Sequence, residues 1–161
     1  MAATYLIRRA VPRDCDGIAR LAAAAAEEAG GPSSLESSRI KAHGFGANAL
    51  FEAWVAQLHA GPLIAHAIIS TGYDVRRARP TVVLNELYVV PEHRRGGLAR
   101  KMMSAIARRG RDLGARELAI TTGVDNEIAQ RFFAAIGAHR RQAAVFMMSA
   151  DGIEWLAAEG L

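Results

Sequence analysis

The chain has one cysteine, Cys15. A single thiol cannot close an internal disulfide, so packing and hydrogen bonds have to hold the fold. The histidines are His43, His59, His66, His93 and His139. They show no zinc-ligand spacing, and no metal is expected. Aromatic residues are only 6% of the chain, so its basic stretches carry no base-stacking platform. With no recognised nucleic-acid motif either, the net charge of +4 does not read as a nucleic-acid surface. No apolar run reaches membrane-spanning length. The N-terminal Met-Ala-Ala-Thr-Tyr-Leu-Ile-Arg-Arg lacks the basic-then-apolar order of a secretory signal. A cytoplasmic protein without membrane contact is expected, with Cys15 as a buried, inert thiol.

What the chain does have is 161 residues, 51% of them hydrophobic and 22% charged, enough for one domain over residues 1–161 with a full core. Its positive charge is concentrated: residues 91–116 hold eight Arg or Lys against two acidic residues. That clustering favours a polyanionic small molecule as partner.

Periodicity gives an alternating order of strands and helices. A strand over residues 5–8 leads to a helix capped by Asp14 or Asp16, with Ile18, Leu21, Ala22 and Ala25 on one stripe and Gly30-Gly31 as its stop. Ser33 or Ser34 caps a second helix over 35–42. Strands over 51–59 and 63–71 flank Ala60-Gly61-Pro62 as an antiparallel hairpin. A polar loop over 72–80 precedes a central strand over 81–90. The helix from Leu98 stops at Gly110 or Gly114, and a buried strand over 117–122 lies parallel to its predecessor. Asp125 or Asn126 caps the next helix, which carries Ile128, Phe132 and Ile136 and stops at Gly137. A last strand over 143–148 and a helix over 151–158 close the chain. The expected class is α/β, with both antiparallel and parallel strand neighbours.

One stretch carries chemistry: Leu-Asn-Glu-Leu-Tyr-Val-Val-Pro-Glu-His-Arg-Arg-Gly-Gly-Leu-Ala-Arg-Lys, residues 84–101. A strand ends at Pro91, a helix opens at Leu98, and Gly96-Gly97 between them lets the backbone bend and approach a ligand. The N–H groups of the helix start, with Arg94, Arg95, Arg100 and Lys101 around them, form an anion cradle suited to a phosphate or pyrophosphate. The turn has neither the Gly-Lys-Ser/Thr of a P-loop nor the three spaced glycines of a dinucleotide site.

Arg94-x-x-Gly97-x-Ala99 resembles the Arg/Gln-x-x-Gly-x-Gly/Ala signature of the GNAT family of N-acetyltransferases. Asn126-x-x-Ala129-x-x-Phe132-Phe133-x-x-x-Gly137 resembles that family's second signature, in the right order. The resemblance implies the GNAT fold, a mixed, splayed central sheet flanked by about four helices, and acetyl-CoA as cofactor. It assigns the pyrophosphate to Arg94, Arg95, Gly96, Gly97, Leu98, Ala99 and Arg100. Pantetheine then falls to backbone at Leu87, Tyr88, Val89 and Val90, with Asn126 and Phe133 beside the cofactor.

A narrower similarity, to the diamine and thialysine N-acetyltransferase branch, runs through Arg13-Asp14-Cys15, His43-Gly44-Phe45-Gly46, Thr71-Gly72-Tyr73-Asp74 and Leu84-Asn85-Glu86-Leu87-Tyr88-Val89. It implies a small-molecule amine acceptor held by Phe45, Tyr73, Asp74, Asn85 and Glu86, and a homodimer, for which the apolar 143–148 strand is a second ground. The branch usually has Glu-Asp where this chain has Asn85-Glu86, and a tyrosine where it has Phe133. Glu86 is the candidate general base, and Tyr88 the candidate replacement for the missing tyrosine acid. Acetylation of a protein lysine or N-terminus, or acetyl-CoA binding without turnover, are the alternatives.

Overall fold

The apolar runs form five strands in the computed structural model, which describes residues 4–59 and 61–159. In chain order the elements are β1 (Tyr5–Arg9), α1 (Cys15–Glu28), α2 (Ser37–Gly44), β2 (Glu52–Leu58), β3 (Leu63–Asp74), β4 (Arg79–Val89), α3 (Leu98–Asp112), β5 (Leu118–Ile120), α4 (Glu127–Ala135) and α5 (Ala150–Ala158). The strands lie side by side in chain order. β1 to β4 are antiparallel, and β5 joins β4 in parallel after the α3 crossover. This is the mixed α+β sheet expected from the sequence, with five helices among the described residues rather than about four. The chain divides into two compact units, Met1–Gly123 and Val124–Leu161.

In the first unit the two sheet faces are covered by different helices. Ile18 and Leu21 of α1 and Ile40 of α2 pack with Ala53 and Val55 of β2 and Tyr88 of β4. Glu52, one residue from Ala53, points to the other face and takes Arg109 of α3 on both its oxygens. That face is filled by Met102, Met103, Ala105 and Ile106. Gly110 brings α3 close to the sheet: a Cβ there would lie 3.4 Å from Val82 Cγ2. Side chains as fully buried as Ile18, Ile40, Met102 and Ile106 contribute about 1.5–3 kcal/mol each.

A β-bulge in β4 decides how the sheet presents its residues. Ile69 pairs with Leu84 while Ile68 pairs with Glu86, leaving Asn85 as the extra residue. Val82 faces α3, and Tyr88, six positions on, would face it too in a regular strand. The extra residue turns Tyr88 to α1 instead, where its hydroxyl donates to Glu28. Asn85 reaches Ser70 and Glu86 reaches His66, so two consecutive side chains serve the α1/α2 face.

Several expected boundaries are corrected. The polar stretch 72–80 is mostly strand, with Tyr73 opposite Pro80 and Asp74 opposite Arg79. Ladder bonds are made by backbone, and polar side chains do not prevent them. The second helix starts at Ser37 after Glu36, not after a serine cap; Ser33 Oγ instead accepts the nearby Leu35 N–H at 3.1 Å. The strand over 117–122 is confined to Leu118–Ile120. Asp14 stands at the α1 N-cap without capping it. Its carboxylate accepts the Val11 N–H at 2.8 Å and the Arg8 guanidinium at 2.6 and 2.9 Å. Ala60 of the expected hairpin turn lies outside the described residues.

The second unit holds α4 and α5. Asn126 Oδ1 accepts the Ala129 N–H at 3.1 Å and Ser149 Oγ accepts the Gly152 N–H at 3.2 Å, so each helix has a side-chain cap. Gly137, at φ +97°, ends α4 as expected. The strand expected over 143–148 does not form. Val145, Phe146 and Met147 are 73%, 91% and 89% exposed. High β propensity does not make a strand without a neighbouring ladder, and this unit contains none.

Candidate active site

The glycine turn predicted between β4 and α3 forms. Gly97 is the N-cap of α3 at φ +79°, a conformation that a side chain disfavours. A Cβ built on Gly96 or Gly97 meets nothing within 4 Å, so the space above the turn is open. The first intrahelical bond is Lys101 N–H to the Gly97 carbonyl at 3.0 Å. The N–H groups of Leu98, Ala99 and Arg100 thus lie ahead of the ladder. No acidic residue sits in the first turn to neutralise that end of the helix. Arg95 and Arg100 are exposed beside it.

Arg94 has another task. Its Nε donates to the Val89 carbonyl at 2.8 Å, and its terminal nitrogen donates to both Glu28 oxygens at 2.8 Å. Its guanidinium lies 5.3 Å from the centre of the Tyr88 ring, a favourable placement of cation over π-face. Tyr88 donates to the same Glu28 carboxylate at 2.7 Å. Sequence reasoning missed Glu28: as one acid at the end of a surface helix, nothing in the sequence marks it out. The hydrogen bonds from Tyr88 and then Arg94 hold its carboxyl below the usual range. Burial first, then the bond to Glu28, pushes the Tyr88 hydroxyl up. The candidate acid is therefore occupied with a structural partner. Cys15, buried as expected, has its thiol pushed up by burial and then by Asp16, which favours the unreactive protonated form.

The sheet opens next to this turn. β5 pairs with β4 only at Val82, Val83 and Leu84, whereas β4 runs on to Val89. From Asn85 onward that edge of β4 has no strand beside it among the described residues, and the opening begins at the bulge. Leu87, Tyr88 and Val89, the expected backbone partners of pantetheine, line the open stretch.

On the α1/α2 face, Glu86 lies half-buried with Oε2 2.8 Å from Nε2 of His66, which is wholly buried. Exposed Asn85 donates its side-chain N–H to Ser70 Oγ at 3.1 Å. Phe45, just after α2, packs against the core cluster that contains Tyr88. Of the five expected acceptor residues, Phe45, Asn85 and Glu86 therefore share a face. The other two do not join them. Asp74 takes Arg77 at 2.8 Å in the β3–β4 turn, six residues along β3 from the partner of Glu86, or about 20 Å at the rise of a strand. Tyr73 is 61% exposed and alternates to the opposite face. His66 was missed because only the strand register, not the sequence spacing, puts it beside Glu86. Asn126 and Phe133 belong to the second unit, where Asn126 caps α4 and the Phe132 and Phe133 rings sit 5.2 Å apart. Among the described residues, no three His, Cys, Asp or Glu side chains are grouped so as to hold a metal ion.

A model of the Acetyltransferase (GNAT) family matches residues 18–138. The chain belongs to that family, whose members are acetyltransferases that use acetyl-CoA. Among individual relatives, thialysine N-epsilon-acetyltransferase of Bos taurus is 26% identical over 145 residues, covering 84% of this chain and 85% of the relative. Aminoglycoside N(6')-acetyltransferase type 1 of Salmonella typhimurium is 33% identical over 67 residues, 42% of this chain. That match spans 46% of the Salmonella enzyme, about half its length. The solved aminoglycoside N-acetyltransferase AAC(6')-Iy in complex with CoA superimposes with a TM-score of 0.70 at 22% identity, covering 89% of this chain and 98% of that one, a likeness of fold.

Proposed function

We propose that this chain is an acetyl-CoA-dependent N-acetyltransferase that moves the acetyl group to a primary amine of a small molecule, by direct transfer in a ternary complex. The observation that carries this reading is the open edge of β4, which leaves the β5 ladder at Leu84 and leads into the glycine cradle. Arg95, Gly96, Gly97, Leu98, Ala99 and Arg100 would hold the pyrophosphate, with Arg94 shaping the turn. Backbone at Leu87, Tyr88, Val89 and Val90 would pair with pantetheine.

Bound acetyl-CoA would supply the activated acetyl group, with coenzyme A as the leaving thiolate. Glu86 takes the proton of the incoming amine, only about one in 2,500 of which is free base at pH 7 for an ordinary primary amine. Backbone N–H groups near Leu87 to Val89 polarise the acetyl carbonyl, because fixed donors stabilise developing charge better than mobile water. Asn85 and Phe45 orient the acceptor. Both curated relatives are named for small amine-bearing molecules, which supports that acceptor class. We further propose a cytoplasmic homodimer. The dimer rests on the diamine-branch resemblance alone, since the 143–148 strand is not formed. Sedimentation showing a monomer across the micromolar range would remove it.

The experiment for the activity pairs a calorimetric titration of acetyl-CoA with thiol release on a panel of amines, peptides included. Micromolar binding and release with small amines is expected. Turnover restricted to peptide lysines or N-termini would move the acceptor to protein, and tight binding with no release on any amine would leave a binding module.

A further inference from the structure

We infer that His66 is a positioning residue for the Glu86 carboxylate: its neutral ring fixes one carboxylate oxygen and leaves the other to receive the proton of the acceptor amine. Glu86 enters here as the proton acceptor proposed above. His66 sits in the middle of β3 and is 0% exposed, a costly place for an imidazole unless its nitrogens have partners. Nε2 has one, Glu86 Oε2 at 2.8 Å. Nδ1 is sealed from solvent and has none among the described residues. A carboxylate only accepts, so Nε2 carries the proton. A second proton on Nδ1 would be a buried donor without an acceptor, which burial penalises. The tautomer protonated at Nε2 donates to Glu86 and leaves at Nδ1 an unpaired acceptor rather than an unpaired donor, the rarer of the two in folded proteins.

The surroundings hold the ring in place. Tyr88 is its register partner across the ladder, with ring centroids 6.2 Å apart, and the Tyr88 hydroxyl is already donated to Glu28. Among the described residues, no further hydrogen bond or ion pair reaches the His66 ring. Glu86 reaches it because the bulge at Asn85 turns the carboxylate to this face, and Glu86 keeps 32% of its side chain exposed. One oxygen is thus tied into the core, and an acceptor amine approaching from solvent meets the other. During transfer the amine nitrogen bonds to the acetyl carbon, the carbon–sulfur bond breaks with its electron pair leaving on the coenzyme A thiolate, and the amine proton passes to Glu86 Oε1. His66 neither gains nor loses a proton. Its contribution is the orientation of the carboxylate before the amine arrives.

The link is tested first without turnover. In ligand-free protein labelled with nitrogen-15 at histidine, His66 should show an unprotonated Nδ1 and a protonated Nε2 that exchanges slowly, and Glu86→Gln should shift that Nε2–H resonance. A protonated Nδ1, or a resonance indifferent to Glu86→Gln, would overturn the inference. Kinetics then tests the consequence. His66→Phe, which keeps the bulk of the ring, should lower kcat about tenfold with the KM for acetyl-CoA unchanged, a loss within the usual range for misplacing a catalytic group. His66→Gln, whose amide can donate from nearly the same position, should restore most of it. In a Glu86→Gln background His66→Phe should cost nothing further; an equal loss in both backgrounds would show packing alone and overturn the role. If Glu86→Gln leaves kcat intact, the base assignment fails instead, a different result from a wrong tautomer.

Discussion

At the residue scale, Gly97 is the position where chemistry leaves least choice. It holds a left-handed φ at the start of a helix whose first N–H groups face open space. Gly97→Glu introduces both backbone strain and a carboxylate where an anion is to sit. Titration calorimetry should show acetyl-CoA affinity falling at least 100-fold, with the circular dichroism spectrum unchanged because the turn is exposed. Asp14 makes the complementary case for stability. Buried with Arg8 and the Val11 N–H, its carboxyl is held below its ordinary value, by the bond from Arg8 first. A lowered folded-state pKa means the stabilisation is present above the unfolded value of 3.8 and lost as pH falls through the folded one. Asp14→Asn should cost about 2 kcal/mol near neutral pH, the scale of one hydrogen bond to a charged group. Chemical denaturation of both proteins from pH 7 down to pH 2 should show that gap narrowing towards acid.

At the element scale, the end of α1 and the phosphate turn are one construction, joined by Glu28, Tyr88 and Arg94. Glu28→Ala frees Arg94 and removes the acceptor of the Tyr88 hydroxyl. Hydrogen exchange should then speed up at the N-terminus of α3, and acetyl-CoA affinity should weaken a few-fold through loss of turn order. Faster exchange confined to α1 would separate the two elements. Glu28 also shows where reading the sequence stops. The strand, the paired glycines and the apolar helix of residues 84–106 are local patterns, and each formed where the sequence placed it. The same holds for the Asn126 cap and the stop at Gly137. What links distant positions was hidden, because Glu28 to Arg94 and His66 to Glu86 depend on helix placement and strand register. The 143–148 strand failed for a related reason: its composition suits a ladder, but a ladder needs a partner that composition does not supply. Asp74 and Tyr73 were grouped with Glu86 by resemblance of short segments, and the length of β3 separates them.

At the scale of the molecule, positive charge is gathered along the turn and α3, where Arg95 and Arg100 stand exposed. Acetyl-CoA affinity should therefore fall steadily between 0.05 and 0.5 M salt, as the Debye length shrinks from roughly 14 to 4 Å. An affinity indifferent to salt would remove the pyrophosphate from this turn. The bulge at Asn85 also acts on the whole unit, because it sets the parity of the strand on either side of it. Removing any one of Asn85, Glu86 and Leu87 exchanges inside for outside over the rest of the strand, so that Tyr88 and Val89 trade faces. Substitution along this stretch is graded in its effects, whereas a single deletion is all-or-none. A lost residue should be repaired only by restoring the residue count within the same few positions, never by a point change in the shortened chain. Deleting Asn85 should abolish acetyl-CoA binding, and an alanine inserted after Leu84 should recover it, leaving only the side chain of Asn85 to be missed.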